Sequence, residues 1–124
     1  EDTWYHAAIT GDGSGNTKVY IDGTQRGNTH NGSWAVTGGK IRINGYAGSG
    51  YTSIGIIGYF SDFRIVNGSM VYSGNFTRPS APLTAITNTK FLTCQNSSGS
   101  LVDNSSSGHT LTTDGTVTPR AGVP

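Results

Sequence analysis

Hydrophobic and polar residues alternate with a period of two along much of this chain. No window of eleven or more carries a helical period. Residues 4–10, WYHAAIT, predict a first strand. Residues 18–22, KVYID, predict a second, with Val19 and Ile21 set against Lys18, Tyr20 and Asp22. Asp22-Gly23 then predicts a hairpin, because this dipeptide supplies the positive backbone angles a tight turn needs. Residues 40–44, KIRIN, repeat the pattern with Ile41 and Ile43 inward. Residues 53–57 lead through Gly58 into a strand where Phe60, Asp62, Arg64 and Val66 share one side. Tyr59, Ser61, Phe63 and Ile65 share the other. Residues 90–95 and 109–113 predict two more strands, and Asp114-Gly115 a last hairpin to 116–118.

Glycine and Asx clusters punctuate these strands at 11–16, 28–33, 45–50, 67–69, 96–100 and 103–108. Many short strands with turn signals between them predict an all-β fold of antiparallel sheets, each with one wet face. The architecture predicted is a two-sheet β-sandwich. Residues 78–82, RPSAP, read as a linker, since two prolines end the short turn around 69–73 and force an extended crossing.

Composition narrows the function. The chain has 124 residues, enough for a single domain with one core. Only 12% of residues are charged and the formal net charge is +1, against the usual ~25% charged residues. With no Lys/Arg run, nucleic acid is not an expected partner. No apolar run reaches the ~18 residues of a membrane helix, so membrane insertion is not expected either. The lone cysteine, Cys94, excludes an intrachain disulfide and reads as a small hydrophobe on a strand. The start at Glu1-Asp2-Thr3-Trp4 reads as part of a longer polypeptide.

Chemistry-bearing motifs are sparse. Asp12, Ser14 and Asn16 take the first, third and fifth places of a calcium loop, but Thr17 and Gly23 stand where Gly and Glu belong. A hairpin loop explains them better; no cofactor is expected, with calcium the one candidate. His6, His30 and His109 share no metal-ligand spacing. Glu1 is the only glutamate, and Asp12, Asp22 and Asp114 sit in turns, so no opposed carboxylate pair emerges and no catalytic activity is expected. Asp62 and Arg64 share one strand face, close enough to pair with each other or across strands. Trp34, Tyr46 and Tyr51 lie in Gly-rich polar stretches, near Asn31 and Asn44. Flat rings beside amides suit stacking and hydrogen bonding of a sugar, so these five residues are the candidate carbohydrate site. The alternative is that Trp34 covers an open end of the sandwich.

Two longer stretches carry a resemblance. WYHAAITGDGSGNTKVYIDG, 4–23, resembles a motif of laminin G-like, concanavalin A-like jelly-roll domains. IGYFSDFRIVNGSMVYSGNFTRPSAPL, 57–83, resembles their closing signature, in which a short helical turn follows the strand. With TNTKFLTCQ and VDNSSSGHTLT, the version is most similar to those in tail fibres and virion surface proteins of marine bacteriophages, cyanophages especially. The resemblance spans essentially residues 1–124 as one domain, although strands that open such domains are absent and the 103–112 stretch comes last instead of first. It implies a non-catalytic recognition module at a virion surface or otherwise extracellular, serving as tail-fibre, receptor-binding or head-decoration protein. Implied partners are host-surface glycans, neighbouring virion proteins and further copies of the chain in a homo-oligomer or larger assembly. A purely structural capsid or fibre component and a bacterial extracellular adhesin are the alternatives.

Overall fold

The computed structural model describes residues 3–32, 41–43, 58–95, 101–113 and 115–118. Strands β1 (Ala7–Gly11), β2 (Asn16–Ile21) and β3 (Thr24–Asn31) form one antiparallel sheet in that order. Strands β4 (Phe63–Val66) and β5 (Thr89–Thr93) form a second antiparallel sheet. No helix occurs among the described residues, and the fold is all-β.

The hairpin at Asp22-Gly23 is built as the dipeptide predicts. Both residues have positive φ, 51° and 78°, as a tight turn that matches strand twist requires. The turn is also a docking point. Asp22 donates its N–H to the His6 carbonyl at 2.8 Å and accepts the His6 N–H on Oδ1 at 2.9 Å. The Gly23 carbonyl accepts the Phe76 N–H at 2.9 Å. A side chain at Gly23 would collide with the Phe76 carbonyl, so the close approach demands glycine as much as the φ does.

That contact brings residues 72–78 across one face of the three-stranded sheet as a strap. Lys18 Nζ donates to the Ser73 carbonyl at 3.0 Å, and the Gln25 N–H donates to Asn75 Oδ1 at 2.9 Å. Tyr72 and Phe76 stack at 3.5 Å, and Phe76 packs on Tyr20 at 5.4 Å. Tyr20 is thereby fully buried. The opposite face carries Ile9 and Val19, paired across β1 and β2 and exposed at 64% and 41%. Burial on β2 does not alternate strictly: Thr17 and Tyr20, three positions apart, are its buried residues, Tyr20 because the strap covers it with rings.

Several expected elements differ. The first strand starts at Ala7 rather than at Trp4. β3 runs through the glycine cluster that reads as a separator. Thr17 and Val19 pair with His30 and Arg26, so β3 carries two extra residues in a bulge, with Gly27 at φ 70° beside it. Residues 41–43 are not in a strand, and Ile41 is exposed rather than inward. Residues 109–113 and 116–118 likewise form no strand, and 69–73 form bends rather than a helical turn. In each case local alternation lacks a paired neighbour among the described residues, and a strand without a ladder partner has no backbone hydrogen bonds to hold it.

The second sheet is extended by a loop. Asp103 accepts the Leu92 N–H at 3.0 Å and the Ser105 N–H at 2.9 Å on Oδ1, and the His109 N–H at 2.8 Å on Oδ2. The Asn104 N–H donates to the Leu92 carbonyl at 2.7 Å. Both backbone groups of buried Leu92 are thus satisfied from this side. Desolvation pushes the Asp103 carboxyl up, but the donors of His109, Ser105 and Leu92 outweigh it and bring it down to about 2.

Two predictions follow from these contacts. Gly23→Ala lowers stability by about 2–4 kcal/mol in urea denaturation. Gly13→Ala, with a similar φ of 77° but open space around it, costs only about 1–2 kcal/mol. Asp103→Ala costs about 1–3 kcal/mol at neutral pH, the range for a buried donor left unpaired. Because the carboxyl's folded value, about 2, lies below its ordinary 3.8, its stabilisation is present above 3.8 and lost as pH falls toward 2. Acid titration of Asp103→Ala, followed by circular dichroism, shows a shallower slope in that window than the wild type.

Candidate functional site

Of the carbohydrate candidates, Asn31 ends β3, exposed, opposite Asn16. Trp34, Asn44, Tyr46 and Tyr51 lie outside the described residues. The described residues instead bring together a groove of about 280 Å³. Three segments supply its walls: Trp4, Tyr5 and His6; Ser61 and Asp62; and Arg78, Pro79, Ser80, Ala81 and Leu83.

The walls are placed by the elements just described. The His6–Asp22 backbone exchange holds the Trp4–His6 stretch beside the turn. Arg78 NH1 meets Asp22 Oδ1 at 3.5 Å and tethers the start of the proline segment to the same turn, while its side chain stays 57% exposed. The segment bends at Ser80 and Ala81, between its two prolines, rather than crossing as the extended linker expected of it. Its other end is held by Asp62, whose Oδ1 accepts the Leu83 N–H at 2.8 Å. Arg64 then donates to the Thr84 carbonyl at 2.9 Å.

Asp62 and Arg64 therefore do not pair with each other; each grips the backbone of residues 83–84. The reason is local. Asp62 precedes β4 in a left-handed conformation, φ 53°, with its N–H donated to the Cys94 carbonyl at 2.9 Å. This takes it out of the strand's alternation. Cys94 also differs from the strand position expected of it: it follows β5 with φ 61°, and burial raises its thiol above the ordinary value.

Ser61, His6 and Asp62 line one groove, but their contacts do not make a proton relay. Ser61 Oγ donates directly to Asp62 Oδ2 at 2.9 Å. The His6 ring instead stands edge-on to Phe76 at 5.5 Å and Tyr72 at 6.2 Å. Its Nδ1 is buried without a hydrogen-bond partner among the described residues. Desolvation lowers the His6 pKa from 6.5; Asp22 opposes this, and the guanidinium groups of Arg64 and Arg78 reinforce it.

Asp12 is engaged within its own loop. Its carboxylate accepts the Ser14 N–H at 2.8 Å, the Asn16 N–H at 3.1 Å and Asn16 Nδ2 at 2.6 Å. The side-chain bond from Asn16 leads these in holding its pKa low. Among the described residues, no group of three His, Cys, Asp or Glu is placed to hold a metal ion, and no helix is long and apolar enough to cross a membrane.

No protein-family model matches the chain, and no curated protein and no solved structure matches it. The groove rests on its geometry alone. Sequence reasoning missed it because Trp4 and His6 read as strand residues and RPSAP as a linker. The Asp22–Arg78 contact that joins them spans 56 positions.

Asp62→Ala removes the acceptor for the Leu83 N–H and destabilises the chain by about 1–3 kcal/mol. Hydrogen exchange at Leu83 speeds up more than at Tyr20, which lies beneath the strap; equal protection at Leu83 in both proteins would remove Asp62 from this role.

Proposed function

We propose that this chain is a non-catalytic, laminin G-like β-sandwich module that recognises carbohydrate at a virion surface, in a tail fibre, receptor-binding protein or head decoration. The observation that carries this reading is the groove. Two aromatic rings, Trp4 and Tyr5, stand in one wall, with Tyr5 65% exposed. The same groove is lined by the hydroxyl-, carboxylate- and guanidinium-bearing residues Ser61, Ser80, Asp62 and Arg78. A pyranose has an apolar face for the rings and hydroxyls for the polar groups, and a groove of this size matches one or two sugar units. Binding at one such groove is weak, and copy number in a virion multiplies it. Asp12, Asp22, Asp62 and Asp103 each already accept hydrogen bonds that hold loops and turns, which favours recognition over acid–base chemistry. Trp34, Tyr46, Tyr51, Asn31 and Asn44 remain a second candidate sugar surface on sequence grounds.

The second reading, a structural component that binds neighbouring virion proteins or further copies of itself, is favoured by the exposed Ile9 and Val19 face. An open apolar sheet face is the kind of surface that subunit contacts cover.

A glycan array probed with wild type, Trp4→Ala and Trp34→Ala separates these. Loss of about tenfold in apparent affinity with Trp4→Ala is expected, the scale of one stacked ring. Loss with Trp34→Ala alone would move the site to the Gly-rich stretches. No glycan bound by the wild type would leave the structural reading.

A further inference from the structure

We propose that His6 makes the strap over residues 72–78 a pH-sensitive clasp that opens the groove when the histidine takes up a proton; as a regulation of the sugar site, it rests on the reading above.

His6 is common to the groove and to the ring cluster under the strap. It is the one residue that both lines the groove and touches the strap's rings. Its backbone is fixed at both ends of the peptide unit by Asp22, so the ring cannot leave by moving the chain. Its ring stands roughly perpendicular to Phe76 and Tyr72, which stack on each other, and Phe76 in turn packs at a tilt on Tyr20. Nδ1 is buried with no acceptor among the described residues. Neutral imidazole tolerates this, because the unprotonated nitrogen needs no partner. Imidazolium does not, because both nitrogens then carry N–H groups, and an unpaired charged donor in an apolar contact is costly.

The charged groups around it do not rescue the proton. Asp22 on the β2–β3 turn favours the charged ring, but its Oδ1 already accepts the His6 N–H and meets Arg78. Arg64 on β4 and Arg78 at the end of the strap both oppose it. Asp62, which lines the groove, is committed to Leu83 and Ser61. The least costly way to solvate a protonated Nδ1 is to lift Tyr72 and Phe76. Those residues lead directly into Arg78 and Pro79, part of the groove's wall.

The sign is set by the lowered pKa. The unfolded or open chain binds the proton near 6.5 and the closed chain only below that. Closed-state stability is therefore full above 6.5 and falls as the pH drops below it.

The test needs no sugar, so its outcome is independent of whether a glycan is found. In a Trp34→Phe background Trp4 is the sole tryptophan, and its emission reports the groove wall. The His6 ring is titrated by NMR in parallel. The clasp requires a His6 midpoint below 6.5, an emission change of Trp4 with the same midpoint, and loss of that change in His6→Gln or, where Gln fails to fold, in His6→Phe. A His6 midpoint at or above 6.5 would mean that the surrounding rings favour the cation, and the clasp would be wrong. An emission change that persists in either variant would overturn it equally.

Discussion

The contact on which the described structure depends is the seat of Phe76 on the Asp22-Gly23 turn. One backbone bond, from the Phe76 N–H to the Gly23 carbonyl, fixes the strap at the end of β2. The rest is ring packing: Tyr72 on Phe76, Phe76 on Tyr20, and the edge of His6 against both strap rings. A three-stranded sheet with one side uncovered is marginal in water. Here five described strands hold few fully buried side chains, Tyr20, Leu92 and Thr93. The aromatic cluster around Tyr20 is one of the two places where the described chain excludes water, and Leu92 with Thr93 on β5 is the other.

Both places are stabilised in the same way. A carboxylate on a loop accepts backbone N–H groups from a segment distant in sequence. Asp22 does this for His6, Asp62 for Leu83 and Asp103 for Leu92. Such charge-assisted bonds are stronger than neutral ones and direct a loop onto a strand without large apolar area. This suits a chain with few charges and many glycines. Of the six aspartates, the four that are described, Asp12, Asp22, Asp62 and Asp103, all accept hydrogen bonds that hold loops or turns.

The groove and the aromatic cluster share His6, which lines the one and touches the rings of the other. Arg78 has the same double place, tied to Asp22 on one side and open to the groove on the other. The site is therefore not an addition to a finished scaffold; the scaffold's fastening residues form one of its walls.

The all-β class and the Asp22-Gly23 hairpin were legible in the chain itself, because period-two alternation and a positive-φ dipeptide are local properties. Three matters were decided only by tertiary contacts. Tyr20, not Val19, faces inward, since a strap more than fifty positions away brings the rings that bury it. Asp62 and Arg64 hold residues 83–84 instead of each other, since the backbone turns left-handed at Asp62. Trp4 and Tyr5 line a groove, since another of its walls reaches them through Asp22 and Arg78. Alternation states that two faces differ. Which face is covered, and by what, depends on a partner surface that no local pattern contains.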